Sequence, residues 1–291
     1  MQIKQDLHIH TEHSYDSACL KMEDLVAEAE QLGFQSYGVT DHLNTDFNLP
    51  DIINSKKNYD SIITKNPILK ERFHFGVELS VVSDWELEQI QRGDYEGDLT
   101  YGIRKGGPEN SKPALFINSE LIKKLGLTYV IAGAHWGLYC GNEKEAIIKD
   151  YHRQCMFIAC QKEVDILAHY LWWYGENNPF TEFANVPASM KQEIAAALKE
   201  NNCAFEINLA GLITNSKYPE AFKMEYLEYI AEIQSIGVTL AIGSDCHSLH
   251  LPNADYYDDC SRLIKAAGID LNRNMFSIDS KIMGKNASEM K

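Results

Sequence analysis

Long apolar runs are missing from this chain. No stretch approaches 18 consecutive apolar residues, and residues 1–20 hold no basic segment followed by an apolar one. Neither a membrane span nor a secretory leader is expected, and a cytoplasmic location follows by default. The seven cysteines (19, 140, 155, 160, 203, 246 and 260) include no Cys-x-x-Cys pair. Without a secretory signal, reduced structural thiols are the expectation. Positive charge is scarce: 27 Lys and Arg stand against 42 Asp and Glu, a formal net charge of −15. That balance disfavours tight binding of a long nucleic-acid backbone. Internal repeats, low-complexity tracts and linkers are also lacking, so residues 1–291 are expected to form one domain. With 45% hydrophobic and 24% charged residues the composition is globular.

What is present is a rhythm of helices and strands. Leu32-Gly33-Phe34, Leu125-Gly126-Leu127, Ile236-Gly237-Val238 and Ala267-Gly268-Ile269 each place Gly between apolar residues after a helical stretch. A left-handed Gly closes a helix, and the next apolar residue packs back on its last turn. Strands are expected at 4–9, 36–40, 73–79, 128–134, 164–168, 203–208 and 238–243. Helices are expected at about 21–32, 51–65, 118–125, 143–162, 188–201, 222–236 and 255–267. Buried runs such as Tyr129–Ala134 suit a parallel sheet. Residues 84–113 break the rhythm as an insertion rich in Gly, Asp and charge, with a short helix near Glu86–Ile90. It follows the third strand, so it reads as a loop on the active-site face and a candidate lid.

One strand after another ends in a side chain able to bind metal. His8 and His10 alternate on the first strand and so share a face, and Asp16 lies in the loop after them. Thr40-Asp41-His42, Gly76-Val77-Glu78, Gly133-Ala134-His135, Ala168-His169 and Ser244-Asp245-Cys246-His247 continue the series. Six histidines and three carboxylates at six strand ends call for metal; zinc, manganese and iron all accept such donors. Ligands so far apart in sequence converge in a closed or nearly closed barrel, whereas an open sheet binds mainly at one switch point. A buried Glu is costly unless paired or metal-bound, and a carboxylate can bridge two cations, so Glu78 is the candidate bridge. Cys246 is expected to pack as a small apolar residue behind the ligands.

In the motifs His8-Ile9-His10, Thr40-Asp41-His42, Gly76-Val77-Glu78, His135, His169 and Ser244-Asp245-Cys246-His247, the chain resembles the PHP family, named for polymerase and histidinol phosphatase. The resemblance implies a distorted seven-stranded β/α barrel, TIM-barrel-like, with three divalent ions (Zn, Mn or Fe) at the carboxyl ends of the strands. Carried over by motif, His8, His10, Glu78 and Asp245 would hold the first ion. Glu78, His135 and His169 would hold the second, and Asp16, His42 and His247 the third. Asp16 stands where some relatives have His. No expected ligand is missing, which argues against a catalytically dead member. The segment Ala204–Leu212 with Tyr218-Pro219 is similar to the sixth strand of histidinol-phosphatase-type members. Here, however, Leu209-Ala210 replaces Thr-Ser, and Ile213 stands where a basic residue is common.

The function implied is hydrolysis of a small phosphate monoester, with two cations sharing a hydroxide that attacks phosphorus. Three divalent cations against Asp16, Glu78 and Asp245 would make the mouth of this acidic protein locally cationic. A small phosphorylated metabolite is the expected partner. Alternatives are a nucleotide phosphatase or nuclease acting on diesters and, from another class, a non-catalytic metal-binding regulatory module. C–N hydrolysis is less favoured, because the metal-bridging Lys of amidohydrolase barrels has no counterpart that can be placed here. Asp245 is a candidate catalytic residue, and His13 could pass a proton to the leaving group. Arg104, Lys105 and Arg153 could grip a phosphate. Trp172, Trp173 and Tyr174 could wall the pocket. His74, His152 and His250, which lack motif context, are assigned to structure.

Overall fold

A computed structural model describes residues 2–279, except Ser17, 95–101, 104–106, 139–140, 142 and 174–177. Each of the seven apolar runs becomes a strand of one sheet. Strands β1 (Gln5–Ile9), β2 (Ser36–Val39) and β3 (Phe73–Ser80) come first. A small antiparallel pair follows, β4 (Val82–Ser83) with β5 (Pro113–Ala114). The sheet then resumes with β6 (Tyr129–Gly133), β7 (Ile166–Leu167), β8 (Ala204–Asn208) and β9 (Leu240–Gly243). The large sheet runs β1-β2-β3-β6-β7-β8-β9, parallel at every step.

The sheet closes where β9 meets β1. The Asp245 N–H donates to the His8 carbonyl at 2.7 Å, and the His10 N–H donates to the Cys246 carbonyl at 3.1 Å. Lower down, side chains replace the backbone ladder. Gln5 Oε1 accepts from the Ile242 N–H, while Asp6 Oδ1 accepts from the Ser244 N–H at 2.9 Å. The second Asp6 oxygen accepts from the Tyr257 hydroxyl at 2.7 Å. Burial pushes the Asp6 carboxyl up to about 6 even with the Ser244 N–H and the Tyr257 hydroxyl donating to it. The result is the distorted seven-stranded barrel that the resemblance implies.

Helices clothe the barrel: α1 (Met22–Leu32), α2 (Leu49–Lys65), α3 (Asp84–Gln91), α4 (Ser119–Leu125), α5 (Lys144–Ala159), α6 (Ala188–Asn201), α7 (Glu220–Ser235) and α8 (Ala254–Ala266). On α1 the inward stripe is Met22, Leu25 and Ala29, and the four expected glycines all take positive φ where their helices end. Helix α6 stops instead on Asn202, at φ 53°. The insertion over 84–113 is tied at its neck by the β4–β5 pair and holds α3. Further along, Thr45 Oγ1 donates to the Gly102 carbonyl at 2.6 Å, and Ile103 is buried.

A small apolar cluster contains Leu7, Tyr129, Ile131, Ile166, Ala168, Ala204 and Ala241 from the strands, with Phe276 and Ile278. None of its residues comes from α1–α8, which places it inside the barrel. The tail after α8 supplies its floor, where the Leu240 N–H donates to Asn274 O and the Phe276 N–H to Leu240 O. Nothing in the sequence pattern past Ala267 announces this role. Tyr129 fills the interior and donates to the Leu7 carbonyl at 3.1 Å. Its ring lies so near Gly76 that an added Cβ would sit 2.7 Å from ring carbons. Gly76→Ala should therefore overpack the interior and destabilise the fold by about 1–3 kcal/mol, read as a lower urea midpoint at unchanged slope.

Candidate metal centre

The carboxyl ends of the strands bring nine acidic and histidine side chains into one cluster. Among the described residues, three groups of potential donor atoms lie within 4.8 Å of one another: His10, Asp16, His42 and His247; His8, His10 and Asp245; and Glu78, His135 and His169. The strand ends deliver these side chains because each apolar run stops at the rim, where polar side chains turn inward. Glu78, 1% exposed, lies at the centre. Its Oε2 faces His8 Nε2 at 3.2 Å, His10 Nε2 at 3.3 Å and His42 Nδ1 at 3.2 Å. Its Oε1 faces His135 Nε2 at 3.3 Å and His169 Nε2 at 2.8 Å. Asp16 Oδ2 lies 3.2 Å from His42 Nε2 and 2.5 Å from His247 Nε2.

The donor set fits metal. Consider His8 Nε2, His10 Nε2, Glu78 Oε2 and Asp245 Oδ1. Every separation among them that involves an imidazole lies between 3.1 and 3.4 Å. A tetrahedron with metal–ligand bonds of about 2.0–2.1 Å has edges of about 3.3 Å. In addition, Asp16 Oδ1 and His169 Nδ1 are buried without a hydrogen-bond partner. Such atoms are costly in a dry interior unless something binds them.

A second layer aims the imidazoles. His8 Nδ1 pairs with Glu206 Oε1 at 2.6 Å, His10 Nδ1 with Ser14 Oγ at 3.1 Å, and His135 Nδ1 with Ser80 Oγ at 3.0 Å. His247 Nδ1 pairs with the Asp245 carbonyl at 3.0 Å. In all four rings Nδ1 is held and Nε2 is left for the cluster. The backbone is bent to serve the same end, since His169 and Asp245 take φ of 29° and 56°. Left-handed backbone at non-glycine residues persists only where the surroundings impose it. Gly133 leaves room for the rings, because a Cβ there would lie 2.3 Å from His169 Cε1.

Electrostatically, the cluster is a mutual arrangement of opposite charges. Burial pushes Glu78 up, but His8, His42 and His135 outweigh it and hold the carboxyl well below its usual range. Asp245 is likewise held down, against its burial, by His8, His10 and His247. Burial pulls His8 down, yet Glu206, Asp245 and Glu78 raise it well above an ordinary imidazole. His10, His42 and His169 are also raised despite burial. His135 goes the other way, because burial takes it down to about 4.

The cluster forms one side of a cavity of about 210 Å³ whose lining also includes Asn44, Ser80, Trp136 and Trp172. Trp172 is folded over His169, with ring centres 5.2 Å apart and its N–H donating to the His169 carbonyl. Trp173 packs instead towards Tyr151 and Phe180, and Tyr174 lies outside the described residues. His13 sits beside Asn58 and Glu12 and does not line the cavity. Arg153 also stays off the lining and pairs with Asp150 on its own helix at 2.5 Å. Arg104 and Lys105 lie outside the described residues. Cys246 is buried, with its thiol directed at the His250 carbonyl. His152 and His250 pair with Glu193 and Glu28, and His74 is buried on β3. Ser14, Ser80, Glu206 and Asn208 had no assigned role in the sequence reading. Only Glu206 carried a usable signal, as a carboxylate inside the apolar run of β8.

A β/α barrel with a His, Asp and Glu cluster at the carboxyl ends of its strands defines a metal-binding barrel, the architecture of many metal-dependent hydrolases. The chain belongs to the PHP domain family, whose sequence profile matches residues 6–210. PHP domains bind metals, and the clusters here can hold them. Asp245 and His247 lie beyond the matched span, and barrel closure brings them into the same cluster. The structure is similar to the crystal structure described as the "putative histidinol phosphatase hisK" from Listeria monocytogenes. The two share 12% identity and a TM-score of 0.55, over 84% of this chain and 96% of that one. Likeness at that identity shows the fold alone. No curated protein sequence matches the chain.

The raised imidazoles make metal uptake pH-dependent. A raised pKa means that His8, His10, His42 and His169 keep protons to higher pH than ordinary histidines, and an incoming cation must displace them. Apparent affinity for zinc or manganese should therefore rise from pH 6 to pH 8.5, with protons released on binding. Chelator competition across that range measures it; a flat profile would contradict the assignment of these imidazoles to cations.

Proposed function

We propose that this protein is a metal-dependent phosphoesterase acting on small phosphate monoesters. Family membership supports the phosphoesterase class. The observation that carries the reading is the division of Glu78, with one oxygen facing His8, His10 and His42 and the other facing His135 and His169. A carboxylate so divided is placed to bridge two cations. In this reading His8, His10, Glu78 and Asp245 hold one ion, Glu78, His135 and His169 a second, and Asp16, His42 and His247 a third. Bound divalent ions supply Lewis-acid stabilisation of the phosphoryl oxygens and acidify the attacking water.

The chain's own residues do the positioning. Asp245 lines the cavity, stays ionised, and has its Oδ2 fixed by Asn208 Nδ2 at 3.2 Å. It is placed to ligate through Oδ1 and to orient water as a hydrogen-bond acceptor. Trp136 and Trp172 line one flank of the cavity with apolar ring surface. His13 is poorly placed as a general acid, because the described loop turns it towards Asn58.

Three features favour a monoester over a nucleic-acid strand. The cavity is small, the net charge is −15, and no Lys or Arg lines the cavity among the described residues. Electrostatic focusing into a local metal cluster draws compact dianions, while an extended polyanion must cross an acidic surface. Among the described residues no helix is long and apolar enough to cross a membrane.

Metal-reconstituted protein should turn over p-nitrophenyl phosphate with higher kcat/KM than bis-p-nitrophenyl phosphate or an oligonucleotide, under one metal and salt condition. Preference for the diester or the strand would favour a nuclease, and stoichiometric metal binding without turnover of any ester would favour a regulatory module. Glu78→Gln should lower both metal content and kcat/KM, the latter by at least about 100-fold, the upper end of what losing an outer partner of a ligand costs. Near-normal turnover by that variant would refute the bridging role.

A further inference from the structure

Glu206, a carboxylate 2% exposed on β8, touches more of the cluster than the His8 ring alone, with Asn208 and the backbone of His169 also against it. We propose that Glu206 is a positioning residue for the metal centre, fixing the tautomer and aim of His8 through one oxygen and the backbone of His169 through the other. This rests on the metal reading of His8 and His169.

Each oxygen of Glu206 has its own donor. Oε1 lies 2.6 Å from His8 Nδ1. Oε2 accepts from the His169 N–H at 2.5 Å and from Asn208 Nδ2 at 3.2 Å. An ionised carboxylate can only accept, so Nδ1 of His8 must carry the proton. Whenever the ring gives up its second proton, Nε2 is the atom left bare, and it points at His10 Nε2, Glu78 Oε2 and Asp245 Oδ1, which is the atom and direction a cation needs. The second oxygen holds the residue whose φ of 29° turns the His169 ring towards Glu78. Asn208 extends the clamp, since its Nδ2 also lies 3.2 Å from Asp245 Oδ2. One buried side chain thereby links ligands proposed for the first and second ions.

Space on the neighbouring strand is reserved for this pair. A Cβ at Gly243 would lie 2.2 Å from Glu206 Oε1 and 2.3 Å from His8 Cβ. Any side chain on β9 at that point would push the carboxylate and the imidazole apart.

The chemistry demands Glu rather than its amide. Glu206→Gln keeps the shape but offers one acceptor and one donor. With its oxygen on His8, its NH2 meets the His169 N–H. With the amide flipped, its NH2 meets His8 Nδ1 and favours the other tautomer, whose proton occupies Nε2. Either way one contact is lost.

The test uses the full chain, stripped of metal and retitrated with zinc or manganese in competition with a chelator. Folding is followed by thermal melting and His8 by long-range 1H–15N spectra. Read on the metal-free protein at a pH high enough for the ring to be neutral, wild-type His8 should carry its proton at Nδ1. Glu206→Gln should remain folded, bind the cation about 10–100-fold more weakly, and show His8 as a mixture of tautomers. Glu193→Gln, which removes the carboxylate beside His152 on the outer helices, should leave affinity unchanged. Wild-type affinity in folded Glu206→Gln overturns the inference and leaves the metal reading intact. A lower melting temperature with unchanged affinity also overturns it, because the residue would then serve only the fold. A wild-type chain that takes up no cation overturns the metal reading and this inference together.

Discussion

A carboxylate buried in the middle of a barrel must be compensated, and Glu78 sets the terms for everything around it. At 1% exposure it has no access to bulk water, so leaving it ionised without positive partners would be prohibitive. The compensation comes from imidazoles delivered by other strands: His8 on β1 and His10 after it, His42 after β2, His135 after β6 and His169 after β7. Their protons and a set of divalent cations are alternative ways of meeting the same demand. Cation uptake at such a cluster would be coupled to release of those protons.

That arrangement depends on closure of the sheet. Asp245 and His247 stand more than 160 residues beyond Glu78 in the chain, and they reach the cluster only because β9 lies against β1. The seam is joined partly by backbone at Asp245 and His10 and partly by the side chains of Gln5 and Asp6. Backbone pairing thus falls at the level of the His and carboxylate cluster, where position matters most. Side chains fill the seam below, where the requirement is only that buried N–H groups find acceptors. At the bottom, Phe276 and Ile278 from the tail complete the interior cluster beneath the candidate metal site.

Strain and support are paired at the rim. His169 and Asp245 hold positive φ, and each is tied by several hydrogen bonds. The backbone at His169 is anchored to Glu206 on one side and to the Trp172 N–H on the other. The turn that aims the imidazole at Glu78 is therefore the same turn that folds Trp172 over the cavity. Ligand geometry and the shape of the mouth are coupled through one short loop.

The alternation of apolar runs with Gly-closed helices was enough to place seven strands and their helices, because both signals are local. The nine ligand candidates were legible for the same reason: a His, Asp or Glu ending a buried strand is anomalous on its own terms. Other features depended on contacts across the barrel. Glu206 and Ser80 acquire their roles only when β8 and β3 set them beside His8 and His135. His13 and Asp16 share the first loop, yet the backbone turns one towards Asn58 and the other into the cluster. Trp172 and Trp173 are adjacent in sequence but part ways, one lining the cavity and the other joining the core. Periodicity decides which segments become strands and which residue types end them. Which side chains converge is decided by closure, since the distance between two strand ends is a property of the barrel and not of either strand.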